Sequence, residues 1–327
     1  MQENKNHILY LMINFDKMKI ISDIKYVSNI NNEKFIVNTK NNQVIYCKYQ
    51  QQSPFSLIIM IDYQHKELVL EFTGKILLEK YPQLINKDTI RECLYNINHL
   101  GVCTIDVEAI INNSYVTKCD VTKDIATADI KTIVSNIRPN ISNNQKWIVK
   151  GYKGGLVIEK VVSTTRYKER LVIYDKAKEM QGVSNSNFLN AVSNRDYILS
   201  YFQKAKTRFE LNINTMSQIR SLLNIPSNDL RMVLSAKANP ILTVIDEAIT
   251  PNKPQHIHTY RKQTIREYEH ELLLKSCHYD IVKVEAVIRS LSSSNTSIKR
   301  VMQPYKDLLN QLQSSKIECL NIRDLVA

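Results

Sequence analysis

A chain of 327 residues with 43% hydrophobic and 23% charged side chains is long enough to bury the core of one large domain or of two. No apolar run approaches the roughly 18–20 residues that a membrane span needs, and the opening MQENKNHILYLMINF lacks a basic flank and a small-residue cleavage site. A cytoplasmic protein with no membrane partner is expected. The six cysteines are scattered and form no Cys-x-x-Cys, which argues against a zinc ribbon or a disulfide framework.

In chain order, HILYLMINF, KFIVNT, QVIYCKY, FSLIIMID and KELVLEFT are strand-sized runs separated by Asn/Lys-rich turns. Helices are predicted over 74–81 and over 87–100, where Ile90, Leu94 and Ile97 recur at helical spacing. SYVTKCDVTKDI (114–125) reads as a strand and TADIKTIVSNI as a helix. GLVIEKVV and RLVIYDKA then form a hairpin, followed by a helix over 187–203, the strand TRFELNIN (207–214) and a helix in SQIRSLLNI. Beyond Pro226 the pattern turns mainly helical. The expected division is an α+β domain over 1–225 and a helical C-terminal domain over 226–327, with a linker at about 250–260.

Side chains alternate faces along a strand, so each strand splits into two rows. Leu171 and Ile173 oppose Val172, Tyr174 and Lys176; Phe209 and Leu211 oppose Arg208, Glu210 and Asn212. Leu68, Leu70 and Phe72 oppose Glu71, while Cys119 and Val121 oppose Lys118, Asp120 and Thr122. Paired in one antiparallel sheet with helices on the apolar side, these strands would gather Glu71, Asp120, Tyr174, Lys176, Arg208 and Glu210 on one polar face. Carboxylates in mid-strand are disfavoured unless something uses them.

Charge says what that face meets. The net charge is +12, and residues 141–240 hold sixteen Lys/Arg against seven Asp/Glu. A folded basic region of this kind suits a polyanion, nucleic acid first. Three carboxylates would suit Mg²⁺ or Mn²⁺, which polarise a phosphodiester. A tyrosine beside the ion can attack phosphorus once a cation offsets its pKa of about 10. Lys176 and Arg208 are the candidates to hold phosphate oxygens.

LVIYDKAKE resembles the Tyr-x-Lys-x-x-Glu segment of rolling-circle replication initiators, and is most similar to the filamentous-phage gene-two and phage/plasmid replication proteins. VLEFTGKIL, TKCDVTKDI and VSNRDYILSYFQKAKTRFELNI resemble that family's other segments in the same order. The resemblance spans roughly 60–225. It implies a ferredoxin-like nickase core related to the plasmid initiators that use a histidine pair. Tyr174 would be the nucleophile, Lys176 and Arg208 its catalytic partners, and Glu71, Asp120 and Glu210 the metal ligands. Origin DNA would be the substrate, a host helicase and polymerase the partners.

Some positions stay open at this level. Glu179 is either an ion-pair partner of Lys176 or a catalytic group, and His65 is a possible fourth ligand. Lys118, Arg166, Lys168 and Arg170 are candidate DNA-backbone contacts, with Tyr167 as an alternative nucleophile. The expected upstream His-x-His pair is missing; His256 and His258 stand far downstream in a Pro-rich stretch. The rival functions are a non-catalytic DNA-binding replication or partition factor and a mobilisation relaxase.

Overall fold

The computed structural model describes residues 13–126, 130–137, 146–152, 154–162, 169–249, 264–277, 279–291, 297–314 and 322–327. The chain forms two compact units: Met1–Pro251 with Asn321–Ala327, and Asn252–Leu320. This division falls at 251 and not at the expected 225, because the helices that follow Pro226 pack with the sheet.

The strands are β1 (Phe15–Asp23), β2 (Val27–Ser28), β3 (Ile36–Lys40), β4 (Gln43–Gln51), β5 (Leu57–Asp62), β6 (Glu67–Thr73), β7 (Thr104–Ile105), β8 (Tyr115–Ile125), β9 (Trp147–Tyr152), β10 (Gly155–Lys160), β11 (Arg170–Asp175) and β12 (Thr207–Ile213). Ten of them make one antiparallel sheet in the order β3-β4-β5-β6-β1-β8-β12-β11-β10-β9, and β2 pairs with β7. The helices are α1 (Ile90–His99), α2 (Val107–Asn113), α3 (Ile130–Ile137), α4 (Lys176–Met180), α5 (Ser186–Ala191), α6 (Arg195–Lys204), α7 (Met216–Leu223), α8 (Leu230–Leu234), α9 (Pro240–Ala248), α10 (Ile265–Ser276), α11 (Ile281–Leu291), α12 (Ile298–Ser314) and α13 (Ile322–Val326). The fold is therefore α+β, built on a large antiparallel sheet.

β1, the central strand, was not expected from the sequence. Its apolar residues Phe15 and Met18 break the alternation that Met18 and Ile20 keep, because one register shift falls between Phe15 and Lys17; a second falls between Lys19 and Ile20. The second shift also moves Val116 opposite Ile20, onto the apolar side and out of the row of Lys118 and Asp120.

The apolar face of the sheet, with Met18, Cys119, Val121, Leu171, Phe209 and Leu211 all buried, is packed by α3, α7, α9 and α13. Helices were expected on that face alone. The structure adds a second layer on the ionisable face, at one end only. There the 3-10 segment Gly74–Gln83 and helices α4, α5 and α6 close around Tyr81, Met180, Phe188, Ile198 and Phe202. The predicted 74–81 helix is this 3-10 segment, kinked at Leu78, where φ is +52°. The predicted 187–203 helix is two, α5 and α6, with Val192 extended between them.

In the second unit, α10, α11 and α12 pack around Leu274, Val284, Ile288 and Met302. Thr264 and Glu267 form a capping box at the start of α10. Pro304 lies inside α12. The five cysteines among the described residues are free and buried.

Candidate active site

Register fixes which side chains share the ionisable face, since residues directly opposite in an antiparallel sheet point the same way. One row runs Tyr174 (β11), Arg208 (β12), Asp124 (β8). Two residues along lie Val172, Glu210 and Thr122. Two further lie Arg170, Asn212, Asp120, Lys17 and Thr73. The last row holds Lys118, Lys19 and Glu71.

At the roofed end, Arg208 is the node. It is fully buried and forks onto Asp124, Nε to Oδ1 at 2.7 Å and Nη2 to Oδ2 at 2.8 Å. Its Nη1 donates to Asp16 Oδ1 at 2.7 Å and to the Tyr81 hydroxyl at 3.1 Å. Burial works against the guanidinium's charge, but Asp124, Tyr81 and Asp16 outweigh it and hold Arg208 protonated well above its ordinary value. Burial likewise works against the Asp16 carboxylate, and Arg208, Lys176 and Lys75 pull it below its usual range. The expected phosphate clamp is thus spent on two carboxylates inside the protein.

Lys176 departs from expectation in the same way. β11 ends at Asp175, whose side chain accepts from Lys178 N and caps α4, so Lys176 opens a helix rather than extending the strand. Its ammonium is 2.6 Å from Glu179 and lies among the rings of Tyr81, Phe202 and Tyr174, 5.8 Å from the Tyr174 centroid. Burial and the neighbouring Arg208 push its pKa down. Glu179 is its ion-pair partner and also accepts from Asn185. Both residues are built into the roof, out of reach of a phosphate.

Tyr174 sits where the roof ends. Its hydroxyl donates to Glu210 Oε2 at 3.1 Å, and Glu210 Oε1 accepts from Asn212 at 3.3 Å. Burial pushes the phenol far above its ordinary pKa, with Glu210 adding to the shift and Arg208 opposing it. Glu210 is itself raised by burial and by Asp16. Asp120 is pushed up to about 7, by burial first and then by the Glu210 charge. The tyrosine is thus held protonated against a carboxylate of raised basicity, the arrangement of an O–H nucleophile and its general base.

For a divalent cation, oxygen donors whose negative charge lacks local compensation are the relevant feature. Asp120 and Glu210 are the candidates on this face: each is raised by burial, and Glu210's charge raises Asp120 further. Glu71 does not join them. It is bonded to Lys17 at 2.5 Å. It also lies four strands and six residues from Tyr174, roughly 27 Å between Cα atoms at ~4.8 Å per strand and ~3.3 Å per residue. His65 occupies the β5–β6 turn, mostly exposed, with Nδ1 2.9 Å from Asp62. Among the described residues no group of three or more His, Cys, Asp or Glu is arranged to hold a metal ion.

Lys118 and Arg170 line an open cavity with Asp120 and Glu71. Arg166, Tyr167, Lys168, His256 and His258 lie outside the described residues. Asp16, Lys17, Lys19, Tyr81 and Asp124 also belong to this face and its roof, and were not expected from the sequence. Asp124 is only the next residue along the row Lys118–Asp120–Thr122, and Lys17 and Lys19 alternate with Met18 and Ile20 in the overlooked strand. Tyr81 and Asp16 carried no comparable sign. Among the described residues no helix is long and apolar enough to cross a membrane. No protein-family profile, no curated protein and no solved structure matches this chain.

Proposed function

We propose that the protein nicks one DNA strand at a specific site and holds the 5′ end, starting rolling-circle replication of a small plasmid or phage genome. The observation that carries this reading is the Tyr174 hydroxyl donating to Glu210 at the edge of a cationic, ionisable sheet face. On this reading the nickase core is the ten-stranded sheet with its roof, working in the bacterial cytoplasm with host helicase and polymerase.

In the proposed step the Tyr174 oxygen attacks phosphorus and its proton passes to Glu210. The P–O3′ bond breaks, the 3′ oxygen takes a proton from water, and the 5′ phosphate stays on Tyr174. Religation reverses the step, with Glu210 returning the proton. Lys176, close to the Tyr174 ring, and Arg208 keep positive charge beneath the phenol without touching the substrate. A divalent ion, Mg²⁺ or Mn²⁺, held by Asp120 and Glu210 would withdraw charge from the phosphodiester.

The test is a nicking assay on supercoiled DNA carrying the protein's own origin, with Mg²⁺ or Mn²⁺. Wild type should form a covalent 5′ adduct. Tyr174→Phe should abolish it, and Glu210→Gln should slow it by about 10²–10⁴-fold, the usual worth of a general base. An adduct from the phenylalanine variant refutes Tyr174 as nucleophile.

One observation favours a second reading, a non-catalytic DNA-binding replication factor. Burial shifts Tyr174 away from the phenolate, and Arg208 and Lys176 are internally paired. That protein would bind DNA equally well in EDTA and leave supercoiled DNA intact.

A further inference from the structure

Away from the roof, the ionisable face opens into a cavity of about 340 Å³. It collects four cations, Lys17, Lys19, Lys118 and Arg170, against two carboxylates, Glu71 and Asp120. Two carboxylates leave the four cations in excess, and Glu71 is bonded to Lys17 at 2.5 Å.

Lys19 and Lys118 stand directly opposite each other on β1 and β8. Like charges in that position destabilise a sheet. Among the described residues neither ammonium has a carboxylate within ion-pair distance. Amide groups from Asn212 and Asn214 complete the lining. A facing pair of lysines over an open, amide-lined hollow is a place for an anion to sit between them.

We propose that this cavity binds a phosphate group, a backbone phosphate of single-stranded DNA flanking the one that Tyr174 attacks. The identity of the strand rests on the nicking reading; the anion site rests on the cavity itself. Arg170 lies on the same face of β11 as Tyr174, four residues away, about 13 Å at ~3.3 Å per residue. The phosphate held there is therefore not the scissile one. It is a second grip that sets which nucleotide reaches the tyrosine.

The experiment measures binding in the Tyr174→Phe background, so that no chemistry enters. A labelled single-stranded oligonucleotide is titrated by fluorescence anisotropy between about 50 and 200 mM salt. Each phosphate contact on a single strand contributes about 0.7 to the slope of log K against log salt. Lys19→Gln with Lys118→Gln should flatten that slope by about 0.7, the worth of the one phosphate the pair grips, and Lys19→Arg with Lys118→Arg should restore it. Thermal melting should show the glutamine pair still unfolding in one cooperative transition, so that a changed slope reports on binding and not on lost fold. An unchanged slope in the glutamine pair overturns the inference. If inorganic phosphate gives a calorimetric signal that the glutamine pair loses while the slope is unchanged, the site takes a small free phosphate and the strand assignment is overturned. The nicking reading fails separately, if wild type forms no covalent adduct with its origin DNA, and leaves the slope measurement intact.

Discussion

Replacing Arg208 with methionine separates two roles for this residue, because the structure makes it an internal tie and the sequence suggests a phosphate clamp. The substitution removes the bidentate pair with Asp124 and the bonds to Asp16 and Tyr81. It leaves Asp124, whose side chain is 5% exposed, and Asp16, at 19%, without their counter-ion. Breaking a buried pair from one side costs about 3–5 kcal/mol, far more than the pair's net worth. Total stabilities are about 5–15 kcal/mol, so a fifth or more of the fold's margin is at stake. For a unit of this size each kcal/mol moves Tm by about 2–4 °C, which gives a fall of roughly 6–20 °C by circular dichroism. Adding Asp124→Leu to Arg208→Met should recover part of that loss, because the stranded carboxylate is removed as well. Arg208→Lys should recover little, since an ammonium cannot reproduce the fork. A methionine variant that melts like wild type yet no longer nicks DNA would falsify the structural assignment and return Arg208 to the substrate.

The Asp120 carboxyl, raised from 3.8 to about 7, makes the folded state bind more protons than the unfolded one between those values. Stability in metal-free buffer should therefore fall as pH rises through that window, by up to about 4 kcal/mol at ~1.4 kcal/mol per pKa unit. Asp120→Asn should flatten that slope in urea titrations at pH 5 and pH 8, and Mn²⁺ at pH 8 should raise Tm for wild type but not for the variant; parallel pH profiles would contradict this. Gly155→Ala should also destabilise. Gly155 stands opposite Tyr174, and a Cβ there would lie 2.0 Å from the backbone oxygen of Ile173, so β10 must move off β11 at a cost of about 1–3 kcal/mol or more. Hydrogen exchange of the β10–β11 amides reads that directly, and unaltered protection would count against the close approach.

The antiparallel ladder around Tyr174 was legible because its strands obey a period of two. β8, β11 and β12 alternate an apolar row with an ionisable one, and register does indeed set Tyr174, Arg208, Glu210 and Asp120 on one face. What alternation cannot supply is position along a strand or across the sheet. Glu71 shares the face of Tyr174 but belongs to a distant row. β1 escaped notice because two register shifts disturb its period, and with it went Asp16, Lys17 and Lys19. The fate of Arg208 and Lys176 was hidden for another reason: their partners Tyr81, Asp16 and Asp124 come from segments 84 to 192 residues away, or, for Glu179, from a helix whose cap, Asp175, is the last residue of the strand. Local pattern identifies a cation without saying which acid it will meet.

The chain leaves the sheet unit after α9 and comes back in α13, and these two helices are neighbours, with Arg323 of α13 paired to Asp246 of α9 at 2.6 Å. Exit and return therefore share one doorway on a body whose core is closed without the intervening helices. Such a doorway accepts a cassette. Lineages could lengthen, trim or exchange residues 252–320 while the ladder that carries Tyr174 stays as it is.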